Sequence, residues 1–257
     1  MADELVHYTV DKGVARITLD SPHNRNALSA QLRRELRDHL ATAGGDDTVR
    51  VILLDHTGPV FCAGMDLKEA GDPGSSTAGV NEFPEILTQI WTSAKPVVAK
   101  LAGPARAGGV GIVAAADIAV AVSDATFAFT EVRLGLVPAV ISVTVLPRLL
   151  PRAAHELFLT GEKFDAARAV EIGLLNSAVA ADALDAEVDR YTGMLALGGP
   201  TALAATKEML RRARAAELAD DFAAMLRLSA GFFAGEEGQE GIRAFAEKRP
   251  ARWVPNG

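Results

Sequence analysis

The chain has 257 residues, 49% hydrophobic and 23% charged, enough for one large domain with a sizeable core. A formal net charge of −7 with no basic stripe excludes a general nucleic-acid binder, though not a small phosphorylated ligand. One cysteine, Cys62, excludes an internal disulfide and a cysteine-rich metal site, and the five histidines are scattered without ligand spacing, so no metal is expected. The start "MADELVHYTV" has neither a basic opening nor an apolar core, and no stretch is long and bare enough to span a bilayer. The expected setting is the cytoplasm, away from any membrane.

In chain order, "VARITLD" (14–20) alternates apolar and polar residues, which predicts a half-buried strand. "LSAQLRRELRDHLATAGG" (28–45) puts leucines four apart and stops at two glycines, an amphipathic helix. "VRVILLD" (49–55) is a continuous apolar run, as in a strand covered on both faces. Residues 71–79, "GDPGSSTAG", read as a loop by composition. "EFPEILTQIWTSA" (82–94) predicts a helix and "PVVAKLA" (96–102) a strand, followed by a glycine-rich apolar helix ending at Asp117. Strands follow at 118–122 and 126–129. Alternation of this kind means α/β. Beyond Pro147 the pattern turns helical: 153–160, 165–173, 184–198, 201–215 and 221–234. A boundary at "ALGGP" divides a core of residues 1–197 from a helical segment of 198–257. Its apolar residues Met209, Leu210, Phe222, Met225, Leu226, Phe232 and Phe233 are too numerous for a solvated appendage, and predict self-association.

The apolar helix opens on "ARAGGVGIVAAADIA" (105–119), and glycine costs a helix interior about 1 kcal/mol relative to alanine. One explanation is a dinucleotide fingerprint, since "GVGIVA" (109–114) fits G-x-G-x-x-G/A with Asp124 or Glu131 downstream. Against it, the match lies mid-chain, Gly103–Gly108 separates it from the strand, and Glu131 falls beyond the next strand. The other explanation pairs this turn with "HTGPVFCAGMDLKEA" (56–70), which follows a buried strand and leads into a short helix. The amides of Met65 and Gly108, at two helix entrances, would then donate together to one carbonyl oxygen, an oxyanion hole for a thioester enolate. Glycine at 108 would keep a side chain off that carbonyl. Cys62 reads as a small buried hydrophobe, and Asp117 and Asp124 as partners of backbone turns.

The series "ITLDSPHNRNALS", "FCAGMDL", "GPARAGGVGIVAAADIAVA", "FAFTEVRLGLVP", "LTGEKFDAARAVEIGLLN" and "EGIRAFAEKRP" resembles the crotonase family of enoyl-CoA hydratases and isomerases, over about residues 5–252. The resemblance implies a core of repeated ββα turns, a C-terminal helical trimerisation region, and a homotrimer or dimer of trimers. It implies an acyl-CoA substrate and no separate cofactor, coenzyme A being part of that substrate. The thioester oxygen would lie between the amides of Met65 and Gly108. The coenzyme would run by Arg25, Ala27 and Leu28, against Ala63, Gly64, Asp66 and Leu67, with Phe245 and Lys248 reaching a coenzyme, often a neighbouring subunit's.

In the family's best-known branch two glutamates act, twenty residues apart. The second corresponds to Glu131; counting back twenty reaches Gly111, so the first carboxylate is missing and Gly111 is expected to face the reacting carbons bare. A single base suffices to move a proton between C2 and C4 of a 3-enoyl thioester, whereas hydration also needs an oriented water. "GGVGIVAAADIAVA" with "EVRLGLVPAVIS" nonetheless resembles the bacterial branch related to methylglutaconyl-CoA hydratases, which also carries glycine there. The expectation is therefore an enoyl-CoA hydratase, with the isomerase as alternative. A non-catalytic acyl-CoA binder and an NAD-dependent oxidoreductase are further alternatives; a pure binder gains nothing from desolvating Glu131. Val140 and Ile141, after Pro138, replace a glycine-rich run common in the family and are expected to narrow the acyl pocket.

Overall fold

The computed structural model describes residues 4–67, 69, 75–211 and 218–252, with the backbone alone for 75–81. A tight turn at Lys12 and Gly13, both at positive φ (47° and 80°), folds β1 (Val6–Asp11) antiparallel onto β2 (Val14–Leu19). That turn geometry matches the right-handed twist of the two strands. β1 gives no alternating signal in the sequence because Val6 alone of its residues is fully buried.

From β2 the sheet grows by parallel addition of β3 (Val51–His56), β4 (Val97–Leu101), β6 (Ile118–Val122) and β9 (Ser177–Val179), in the order β1-β2-β3-β4-β6-β9. Every residue of β3 is buried, as its unbroken apolar run predicts. A three-stranded sheet holds β5 (Ala105–Arg106), β7 (Thr126–Ala128) and β8 (Phe164–Asp165). Phe127, Phe129, Phe158 and Phe164 stack behind it, with ring centroids 4.4–5.9 Å apart.

Helices return the chain between strands. α1 (Ala30–Gly45) starts two residues later than its pattern, because the Ser29 hydroxyl caps the Leu32 amide; Leu32, Leu36, Leu40 and Ala43 are its buried face. α2 (Ser75–Thr92) corrects the loop expected over 71–79: residues 75–79 are helical, and 71–74 lie outside the described residues. Pro84 lies inside this helix, which runs through it. α3 (Gly108–Ala115) is buried at every position and stops before Asp117, whose carboxylate accepts the Val97 amide (2.7 Å) and pairs with buried Lys207 (2.5 Å).

α4 (Ala139–Val145), α5 (Pro151–Thr160), α6 (Ala166–Glu171) and α7 (Leu184–Ala196) follow. The chain ends in α8 (Pro200–Arg211), α9 (Leu218–Ala234) and α10 (Glu236–Ala246). The last turn expected of the helix over 201–215 falls in 212–217, outside the described residues. α9 packs on α2 and α4, and α10 on the 3-10 turn Thr130–Leu134. A Cβ at Gly241 would lie 2.0 Å from the Leu134 carbonyl oxygen, and one at Gly238 3.0 Å from Leu136. Glycine therefore lets α10 press onto the segment that carries Glu131. Phe222, Leu226 and Phe233 turn inward, while Met209, Leu210 and Phe232 are exposed, so only part of the apolar set faces solvent.

Candidate active site

Residues 61–65 thread between two other segments. The Phe61 amide donates to Pro104, Arg106 to Cys62, Ala63 to Arg25, and Leu28 to Gly64. Asn26, at φ 52°, fixes this crossing from a fully buried position: its side chain accepts from the Ser21 amide and donates to the Thr57 and Val60 carbonyls. Sequence reasoning missed Asn26; an asparagine that must sit in the left-handed region is a signal only once the turn is known.

Held this way, Met65 faces the entrance of α3. Among the described residues, neither the Met65 amide nor the Gly108 amide donates to a backbone carbonyl. Gly64, at φ 90°, leaves its Cβ position 3.0 Å from the Ala107 Cβ and 3.5 Å from the Gly108 nitrogen, which measures how closely the two loops meet. Ala107 precedes α3 at φ 46° and ψ −119°, an unusual conformation for alanine, and its amide is tied to the Ala128 carbonyl. The short helix expected after Met65 falls on residues of which 68 and 70–74 lie outside the described ones.

The glycines of α3 answer to protein neighbours. A Cβ at Gly108 would meet the side-chain tips of Leu28 at 2.9 Å and Phe83 at 3.3 Å, so glycine also eases packing there. At Gly109 it would lie 2.6 Å from the Cys62 carbonyl oxygen. At Gly111 it would lie 2.6 Å from Cγ2 of Ile141. This corrects the expectation that Gly111 faces the reacting carbons: Ile141, on α4, fills that place. The dinucleotide reading loses its footing, because each glycine of the fingerprint is covered by the chain itself.

Glu131 is the second residue of the 3-10 turn, which Gly135 closes at φ 67°. The turn is pinned when the Leu136 amide donates to the Glu131 carbonyl. The Glu131 carboxyl oxygen Oε2 is fully buried and has no hydrogen-bond partner among the described residues. Burial pushes the carboxyl's pKa up to about 7, against a smaller lowering by a backbone hydrogen bond. A group so tuned can both take and give a proton near neutrality.

Glu131, Met65 and Gly108 line one cavity of about 580 Å³. Its apolar wall includes Phe83, Leu136, Val140, Ile141 and Phe233, and Arg25, Arg106, Arg133 and Arg249 also line it. Of the residues expected along a coenzyme, Arg25, Ala63, Leu67 and Phe245 are on the wall. Ala27 and Leu28 are buried behind it, and Gly64, Asp66, Gly111 and Lys248 do not line it. Asp66 instead accepts from Asn24 at 3.3 Å. In "AFAEKRP" it is Arg249, missed in sequence, that reaches the cavity; buried Glu240 holds it at 2.7 Å. Cys62 is buried in apolar surroundings, its thiol pushed up to about 12, so it is inert. Burial also lowers the pKa of His56, whose Nε2 accepts from the Ala102 amide. No metal-ligating cluster occurs among the described residues.

The cavity thus brings together two backbone amides at a helix entrance and one buried carboxyl. Over residues 9–256 the sequence matches the enoyl-CoA hydratase/isomerase family, and the chain belongs to that family. A crystal structure of an enoyl-CoA hydratase from Mycobacterium avium is 43% identical, with a TM-score of 0.90, covering 98% of this chain and 100% of the other. A carnitinyl-CoA dehydratase from Citrobacter koseri is 33% identical over 97% of this chain and 98% of its own. The zebrafish (Danio rerio) mitochondrial enoyl-CoA hydratase domain-containing protein 3 is 33% identical over 94% of this chain and 84% of its own.

Proposed function

We propose that this chain is an enoyl-CoA hydratase that adds water across the 2,3 double bond of an acyl-CoA thioester. The observation that carries the reading is the Glu131 carboxyl, whose buried Oε2 has no partner among the described residues, in the cavity that Met65 and Gly108 also line. The two amides hold the thioester oxygen, where negative charge grows as the β-carbon is attacked. Ionised Glu131 takes a proton from the water as the oxygen bonds to C3. The same carboxyl returns a proton to C2 as the enolate collapses, so water is added and no group is left over. A hydratase run backward is a dehydratase, so the names of the relatives agree in chemistry. The cavity's arginines suit the coenzyme's phosphates, its apolar wall the acyl chain, and no further cofactor is called for.

One observation favours the isomerase instead: with Ile141 over Gly111, the described cavity wall holds Glu131 and no second carboxylate. Incubation with 2-enoyl- and 3-enoyl-CoAs separates the two by product mass. Hydration adds the mass of one water, and isomerisation leaves mass unchanged. A product of unchanged mass from every substrate would replace the hydratase reading by the isomerase one. The exposed Met209, Leu210 and Phe232 support a trimer, or a multiple of it, built through the C-terminal helices.

A further inference from the structure

On α9 the inward stripe runs Phe222, Leu226, Ser229, Phe233, spaced as one helical face. Three of the four are large and apolar; the fourth is a serine, more than nine-tenths buried. Serine in a helix ordinarily returns its hydroxyl to the carbonyl four residues back, as Thr42, Thr92 and Thr160 do with theirs here. The Ser229 hydroxyl makes no such bond, and no other partner for it occurs among the described residues. The hydroxyl is not sealed among apolar atoms either, since the buried polar atoms left without a partner do not include it; it opens onto the cavity that Ser229 lines. Ser229 lines the same cavity as Glu131, one helical turn from Phe233, which lines it too.

Packed elements bring Ser229 and Glu131 to the same cavity. α9 rests on α4, which carries Ile141, and α10 presses on Leu134 and Leu136. Where Ile141 closes over Gly111, a water at the β-carbon loses the second anchor that a carboxylate there would give. We infer that Ser229 supplies the second hydrogen bond to the oxygen added at C3, so that Glu131 and Ser229 together hold the attacking water. This rests on the hydratase reading. The hydroxyl accepts one of the water's protons in a hydrogen bond while Glu131 removes the other, and in the product it bonds the new 3-hydroxyl.

The test is Ser229→Ala in the full-length protein, with three measurements. Hydration of the best 2-enoyl-CoA should fall about 10- to 100-fold in kcat/KM, as for loss of one hydrogen bond at a charged centre. Affinity for the matching 3-hydroxyacyl-CoA should fall, while that for the saturated acyl-CoA, which lacks the oxygen, stays unchanged. The melting temperature should hold or rise, because an unpaired hydroxyl leaves an apolar stripe. Unchanged hydration, or equal loss of affinity for both thioesters, overturns the assignment; the latter would mean that Ser229 contacts the coenzyme or only supports the wall. If the unaltered protein hydrates no enoyl-CoA, the hydratase reading falls and this assignment with it.

Discussion

The two ends of the catalytic wall are built on opposite plans. At Glu131 a short 3-10 turn, pressed from outside by α10, drives a carboxyl into apolar surroundings and leaves it without a partner. At Gly111 a buried helix gives up its side chain altogether, and an isoleucine from α4 takes the space. In the proposed reaction the proton chemistry is concentrated on the first side, and the second shapes the cavity. The contrast teaches that a missing residue in a family pattern need not leave a hole. A neighbour can occupy the space and fix the altered chemistry in place.

The sharpest way to break this contrast is Glu131→Gln. With one carboxyl carrying all proton transfer, kcat should fall roughly 10²- to 10⁴-fold. Coenzyme A thioester affinity, measured by calorimetry, should stay nearly unchanged, because the two backbone amides remain. Wild-type turnover in that variant would remove Glu131 from the mechanism.

The same substitution should show in stability. Folded Glu131, with a pKa of about 7 against 4.5 in the unfolded chain, keeps a proton that the unfolded chain has already lost. Stability therefore declines as pH rises from 4.5 to 7 and is level above, by about 3 kcal/mol in all. Glu131→Gln should match the wild type in denaturant melts near pH 4 and exceed it near pH 8. Hydration by the wild type should rise through pH about 7, as the carboxyl ionises. A wild-type melt that does not weaken across this range relative to the variant would contradict the burial argument.

The Gly111 side is tested by putting a carboxylate back. Gly111→Glu alone drives a Cβ to 2.6 Å from Ile141, so about 1–3 kcal/mol of stability should be lost to overpacking and hydration should not improve. Gly111→Glu with Ile141→Gly opens the space, and thermal melts should recover part of the loss. Equal melting points for the single variant and the wild type would show that Ile141 gives way freely.

Much of this was legible beforehand. Continuous or alternating apolar runs marked β2, β3, β4 and β6, and the leucine spacing marked α1, because burial on regular faces writes itself into the sequence. The pairing of Met65, Gly108 and Glu131 around one cavity also followed from the motifs. What could not be read were contacts between distant segments. Nothing local to Gly111 announces Ile141, thirty residues on, and nothing in "AFAEKRP" prefers Arg249 to Lys248 until Glu240 is seen to hold it. Ser229 lay in plain view as the polar member of an apolar stripe, but its missing partner is visible only in three dimensions.

The order of the large sheet also bears on how the molecule is made. From β1 to β4 each strand pairs with its predecessor, and β6 and β9 join the same growing edge. A chain emerging from the ribosome N-terminus first, at about 5–20 residues per second, can therefore dock each strand as it arrives, with no slot reserved for a later one. Both proposed oxyanion donors are in hand once Gly108 has been synthesised, whereas the wall from α9 and α10 arrives last. The nascent protein thus assembles its scaffold well before it can enclose a substrate.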